Sequence, residues 1–259
     1  MQSQVERNMI SKREIQVWRV ETTPFDNWNG FQRVLSVDER TRAERLRFEQ
    51  DQLRFVIRRG ILRFLVASYV DASPDEIRFH YGPQGKPKLD GGPSTSDFHF
   101  NITYSGDRIL YAFSIGRRVG IDIEQVRQIP ELEHIAERHY SSLELASVYK
   151  PHRSRRLQNF FEVWTRKEAV IKALGVGLAL PLNSFSVEPV GGLEGYGYQV
   201  IGDVENSTRW RVLPLDAGRN FVASICVEET GFSLTTRTLP ELWGTHATRA
   251  WSRSKRQTP

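Results

Sequence analysis

Apolar and polar residues alternate along 14–21 (Glu-Ile-Gln-Val-Trp-Arg-Val-Glu), the period of two that predicts a half-buried strand. The alternation returns at 98–103 and 119–124, and 109–114 is expected to form a hairpin with 119–124 around Gly116. Strand patterns resume at 185–188, 197–201, 208–213 and 221–227 and predict a second sheet. Between the two sets, helical patterns take over. A charged segment at 38–48 predicts a short helix, and 51–70 a longer one with Leu53, Ile57, Ile61, Phe64 and Leu65 on its apolar side. Residues 132–139 predict another, and Ser141-Ser-Leu-Glu144 has the spacing of a capping box ahead of the next. Strand, helices and strands thus follow one another twice, to about residue 117 and again to about 235, which reads as an α+β chain.

The last helical pattern runs Phe160-Phe-Glu-Val-Trp-Thr-Arg-Lys-Glu-Ala-Val-Ile-Lys-Ala-Leu-Gly175. Its apolar residues recur at three and four, and Gly175 supplies a left-handed stop. Glu168 and Lys172 lie four apart on one face, with Trp164 a turn earlier. Alone, that pair reads as a surface ion pair contributing about 0.2 to 0.5 kcal/mol. Lys167 is roughly 100° round the helix from Glu168, and whether it meets a ligand or a partner is undecided.

A second acidic cluster changes the picture. In Val119-Gly-Ile-Asp-Ile-Glu124 the period of two sets Asp122 and Glu124 on one face, with Ile121 and Ile123 on the other. Neighbouring carboxylates repel one another and need water, a base or a cation between them; a solvated face serves, and so does a hard divalent ion such as Mg²⁺. With Glu168, they make a three-carboxylate metal hypothesis.

Gly120-Ile-Asp-Ile-Glu124 followed by Trp164-Thr-Arg-Lys-Glu-Ala-Val-Ile-Lys172 resembles the signature pair of the Sfp-type 4'-phosphopantetheinyl transferase family. Gln84-Gly-Lys-Pro87, Phe98-His-Phe-Asn-Ile-Thr-Tyr-Ser-Gly106 and the continuation 175–187 are also similar to that family, and all arrive in order. The resemblance implies two similar α+β subdomains related by a pseudo-twofold, here 1–117 and 118–236, with the active site in the cleft between them and a basic, disordered tail at 237–259.

The resemblance also implies an activity: Mg²⁺-dependent (or Mn²⁺-dependent) transfer of the 4'-phosphopantetheine arm of coenzyme A to a serine of an apo carrier protein, as in a holo-acyl-carrier-protein synthase. Asp122, Glu124 and Glu168 are then the metal ligands. Lys172 neutralises the pyrophosphate, and Glu168, or a water it polarises, takes the serine proton. Lys86, Pro87, Tyr104, Ser105 and Asp122 become coenzyme A contacts. Among the arginines of 40–63, which suit a ligand with several phosphates, Arg47 and Arg54 are assigned to the 3'-phosphate. The family carries a histidine where this chain has Tyr104. A phenol offers a neutral hydrogen bond where imidazole can bring charge, so affinity falls there or a nearby arginine compensates. Glu144 falls where the family has a further acid near the metal; capping is its simpler role.

Charge and composition narrow the alternatives. The 36 Lys+Arg against 31 Asp+Glu give +5, a balance that favours an acidic partner. An acidic helical carrier domain or a polyphosphate satisfies it; nucleic acid is disfavoured, because the basic residues lack the aromatic interleaving of a single-strand binder. A single cysteine, Cys226, excludes an intramolecular disulfide and reads as a small buried apolar residue. No apolar run approaches a membrane span, and the polar start lacks a signal core, so a cytoplasmic protein is expected; a chain that contains both halves needs no partner to complete the cleft, so a monomer is expected. Two other classes remain: a non-catalytic carrier-binding or nucleotide-binding protein, and a basic nucleic-acid module.

Overall fold

The computed structural model describes residues 8–22, 29–150, 152–190 and 197–239. The first half runs β1 (Glu14–Glu21), α1 (Asn29–Val34), α2 (Val37–Glu44), α3 (Glu49–Val70), the short pair β2 (Phe79–Tyr81) and β3 (Pro87–Leu89), then β4 (Phe98–Ser105) and β5 (Arg108–Ile115). The second half runs β6 (Val119–Gln125), α4 (Leu132–His139), α5 (Ser142–Tyr149), α6 (Arg156–Leu174), β7 (Phe185–Pro189), β8 (Tyr198–Gly202), β9 (Trp210–Leu215) and β10 (Phe221–Glu228). A last strand, β11 (Ser233–Thr238), follows. No helix among the described residues is long and apolar enough to cross a membrane.

The strands form two main sheets, ordered β11-β1-β5-β4 and β6-β10-β9-β8-β7. In both, the strand that opens the unit pairs antiparallel with the strand that closes it, and that one pairs with its predecessor. The doubled order of elements in the sequence is therefore a doubled connectivity. The period of two divides each strand between two environments. Ile15, Val17, Leu110 and Ala112 of the first sheet meet Val119, Ile121, Ile123, Ala223, Ile225 and Val227 of the second, so the sheets pack face to face. The outer face of the first sheet, with Trp18, Tyr111 and Phe113, packs on α3 through Ile57, Ile61, Phe64 and Leu65. The outer face of the second, with Trp210, Val212 and Cys226, packs on α6 through Ala169, Val170 and Ala173.

Two expectations are corrected here. The segments 109–114 and 119–124 do not form a hairpin: β5 pairs with β1 and β4, whereas β6 pairs with β10, and the turn at Gly116 carries the chain from one sheet to the other. A tight turn permits pairing but does not impose it when the inner face of each strand already has a sheet to pack on. The tail was expected from residue 237, yet β11 runs parallel to β1 through Thr238, with Arg19 opposite Thr238. The rest of that basic tail, from residue 240, lies outside the described residues.

One contact sets the position of α6. Gly120 shares its face of β6 with Asp122 and Glu124, and a Cβ there would collide with Ala169 O and Ala173 N of α6 and lie 2.8 Å from Ala173 Cα. Only a residue without a side chain lets strand and helix backbones touch. The carboxylates two and four residues on are thereby aimed along the flank of α6. Gly120→Ala should force the two backbones apart and destabilise the protein by about 3 kcal/mol or more, at or above the usual range for overpacking. Denaturant unfolding measures this, and an unchanged midpoint would refute the contact.

Candidate active site

The two sheets meet at their edge strands β4 and β6, and side chains join them there instead of backbone pairing. Alternation along β4 puts Asn101, Thr103 and Ser105 on the face toward β6. Asn101 Oδ1 accepts from the backbone N–H of Ile121 at 2.9 Å, and the Thr103 hydroxyl donates to Asp122 Oδ1 at 3.1 Å. The Ser105 hydroxyl donates to Glu124 Oε2 at 2.9 Å and accepts from the N–H of Gln125 at 3.0 Å. Ser105, expected to touch the cofactor, thus holds a carboxylate in place.

Above it, α6 supplies the cation. Lys172 Nζ lies 2.5 Å from Asp122 Oδ1 and donates to Thr103 Oγ1 at 3.2 Å. Asp122 is buried, and burial pushes its carboxyl up to about 6, against the pull of Lys172 and with a further push from Glu124 and Glu168. Burial likewise raises the Glu168 carboxyl; Lys172 opposes the shift and Glu124 adds to it. The three acids therefore share one electrostatic neighbourhood. Among the described residues no three His, Cys, Asp or Glu side chains converge as a ready-made metal site. The donors nevertheless suit a hard cation, because Asp122 Oδ2 is buried with no hydrogen-bond partner.

A cavity of about 550 Å³ opens beside this cluster, with Glu168, Lys172, Lys86, Pro87 and Tyr104 on its wall. A second, of about 500 Å³, holds Glu124, Ser105, Arg54 and Arg127, and Tyr104 and Arg58 stand between the two, lining both. Lys86 and Pro87 are brought to the site, but the ammonium of Lys86 is taken up by backbone carbonyls. It donates to Lys172 O at 2.5 Å, Val119 O at 3.0 Å and Ala173 O at 3.4 Å, tying the loop to the end of α6 and to the start of β6. Burial draws that amine down to about 8, while two carbonyls at the C-terminal end of α6 and one at the start of β6 match the three N–H donors of its charged form.

The arginines of α2 and α3 divide by partner. Arg59 and Arg63 both donate to the buried Glu39, and Arg63 also to Pro74 O and Ile77 O, so their role is architectural. Arg47 stacks beside Phe48 and lines neither cavity, whereas Arg54 lines the second, 3.9 Å from Asp51. Arg42 and Arg58, not singled out in the sequence, face the first. Lys167 is fully buried. It pairs with Glu144 at 2.8 Å and donates to Leu182 O and Phe185 O, while Glu144 accepts from Ser141 N and Val187 N. Glu144 is thus both the expected cap and the buried counter-ion that fixes α6 against α5 and β7.

A model of the 4'-phosphopantetheinyl transferase superfamily matches residues 118–226, and a model of the N-terminal region of 4'-phosphopantetheinyl transferase matches residues 18–115. The 4'-phosphopantetheinyl transferase HetI of Nostoc sp. is 29% identical over 235 residues, 89% of this chain and 92% of its own. A 4'-phosphopantetheinyl transferase of Bacillus subtilis is 30% identical over 199 residues, 77% and 84%. The 4'-phosphopantetheinyl transferase Sfp of Bacillus subtilis strain 168 is 33% identical over 157 residues, 61% and 67%.

The raised carboxyl of Asp122 has a consequence for stability. A carboxyl whose folded value lies near 6, above the usual value of about 4, binds its proton more tightly in the folded state. Through that window the folded protein holds more protons, so stability falls as pH rises from about 4 to about 6 and the penalty is complete above it. In the presence of chelator, denaturant unfolding should lose up to about 3 kcal/mol across the window, and Asp122→Asn should flatten that segment of the profile. A profile identical in the two proteins would contradict the placement of this carboxylate.

Proposed function

Since the chain belongs to the 4'-phosphopantetheinyl transferase superfamily, we propose that it moves the 4'-phosphopantetheine arm of coenzyme A onto a serine of an apo carrier protein and releases adenosine 3',5'-bisphosphate. The observation that carries this reading is the contact of Lys172 with Asp122 beside Glu168 on the wall of an open cavity, with a buried carboxylate oxygen left unpartnered. Such a set suits negative charge developing on a phosphoryl group.

Asp122, Glu124 and Glu168 are the residues that would hold a divalent ion, Mg²⁺ or Mn²⁺, whose charge would offset that of a pyrophosphate. Lys172 is positioned to neutralise the same pyrophosphate, with Thr103 and Asp122 steering its ammonium. The serine oxygen attacks the phosphorus that bears the pantetheine arm, the bond from that phosphorus to the bridging oxygen breaks, and the bridging oxygen leaves with the nucleotide. Glu168 takes the serine proton; its burial-raised affinity suits a general base better than an exposed carboxylate would. Fixing of α6 by the Lys167–Glu144 pair keeps Glu168 and Lys172 in register for this task. The positive balance of the chain suits an acidic, helical carrier domain. Both halves of the cleft come from one chain, which suits action as a monomer.

Incubation with an apo carrier, coenzyme A and Mg²⁺ should add the mass of the arm to the carrier. Asp122→Asn and Glu168→Gln should each lower the rate at least about 100-fold, the scale of losing an electrostatic or proton-transfer contribution. Coenzyme A binding without transfer by the unaltered protein would favour a non-catalytic binding role, and a variant that transfers at near-normal rate would remove its residue from the mechanism.

A further inference from the structure

An α-helix leaves its last carbonyls without partners in the helix, and that end carries partial negative charge. In α6 the first of them, Ile171 O, accepts from the N–H of the left-handed cap Gly175 at 2.9 Å. The next two, Lys172 O and Ala173 O, accept from the ammonium of Lys86, a residue of the other half of the chain. Its remaining bond, to Val119 O, reaches the start of β6. The turn that presents this ammonium is itself closed. Gly85 N–H donates to Gly82 O at 2.8 Å, Gly82 N–H donates to Lys86 O at 3.0 Å, and Gly85 sits at φ +75°. The turn also rests on the loop beyond α6, where a Cβ at Gly177 would lie 2.9 Å from Gln84 Oε1. Gln84, Lys86, Gly175, Gly177 and Lys172 therefore share one stretch of the first cavity's wall, built from both halves.

We infer that Lys86 is a positioning residue for transfer: its ammonium holds the end of α6 from which Lys172 projects, and it does not bind the donor. This rests on the transferase reading above. The residue whose carbonyl takes the shortest of the three bonds, at 2.5 Å, is the one whose side chain reaches Asp122 and Thr103. A shift of the backbone at 172 is therefore a shift of that second ammonium. A lysine has three N–H donors, and three carbonyls already use them, so a phosphate oxygen could be met only by releasing the helix end. The two lysines on this wall thus divide the work. Lys172 turns its charge to the carboxylate cluster, while Lys86 spends its own on backbone dipoles and joins the two halves where the cleft closes. Displacing a reacting group by about 1 Å can cost up to about 100-fold in rate, so loosening this tie should appear in turnover and not in donor affinity.

The test sets steady-state transfer to an apo carrier beside equilibrium binding of coenzyme A, both on the full chain. Lys86→Met keeps an apolar stem and removes the charge. It should lower kcat about tenfold or more while the Kd for coenzyme A stays within about twofold, the split expected when orientation and not binding is lost. Loss of a buried cation can also loosen the fold, so the same constants are measured for Lys86→Arg, which keeps a cation that can donate to carbonyls. Its kcat should lie between those of the methionine variant and the unaltered protein, again with coenzyme A affinity held. A methionine variant that binds coenzyme A about tenfold more weakly makes Lys86 a donor ligand and overturns the inference. So does one that keeps both constants, which would reduce the tie to a structural one, and so does an arginine variant no faster than the methionine variant. Each of these leaves the transferase reading intact. An unaltered protein that transfers no arm overturns that reading and this inference with it.

Discussion

The structure depends on a backbone contact between a helix and a strand with no side chain between them. At Gly120 the carbonyl of Ala169 and the amide of Ala173 occupy space that any other residue would fill. Everything polar in the cleft is referenced to that contact. Because side chains on a strand repeat every two residues, Asp122 and Glu124 inherit the orientation of Gly120; because the helix turns every 3.6, Glu168 and Lys172 flank Ala169 and Ala173. A buried Asp122 next to an ammonium is costly to assemble from flexible parts, and a rigid helix–strand pair reduces what must be ordered on binding.

Three further restraints converge on the same pair of elements. Lys86 ties the loop of the first half to the end of α6 and the start of β6. Lys167 and Glu144 lock the other side of α6 in a buried ion pair whose remaining donors and acceptors are met by backbone groups. Thr165 meets Ser224 of β10 at 3.1 Å within the same interface. Buried charges so placed add little net stability, but an unpaired one would be expensive, which favours one arrangement over its alternatives. The ladder from Asn101, Thr103 and Ser105 then joins this frame to the first sheet, and the cleft lies along that seam.

Much of this was legible in the chain because it rests on local periodicity. The α+β order, the helix ending at Gly175, the shared face of Asp122 and Glu124, and the i, i+4 relation of Glu168 to Lys172 follow from periods of two and 3.6. What was not legible depends on distant partners. Nothing in the composition of 40–63 separates Arg59 and Arg63, consumed by Glu39, from Arg58, which faces open space beside Tyr104. Lys86 reads as a ligand contact until the helix end it caps is in view, and the choice left open for Lys167, ligand or partner, gives way to a buried pair with Glu144. The pairing of β11 with β1 joins segments at opposite ends of the described chain, where no local signal reaches.

The central claim is that β6 and α6 behave as one rigid unit carrying the cluster. Native-state hydrogen exchange on the ligand-free protein tests it most directly. Amides of β6 and of the buried middle of α6 should open together, with a common free energy close to that of global unfolding. Exchange of α6 through a separate, lower-energy opening while β6 stays protected would contradict the account.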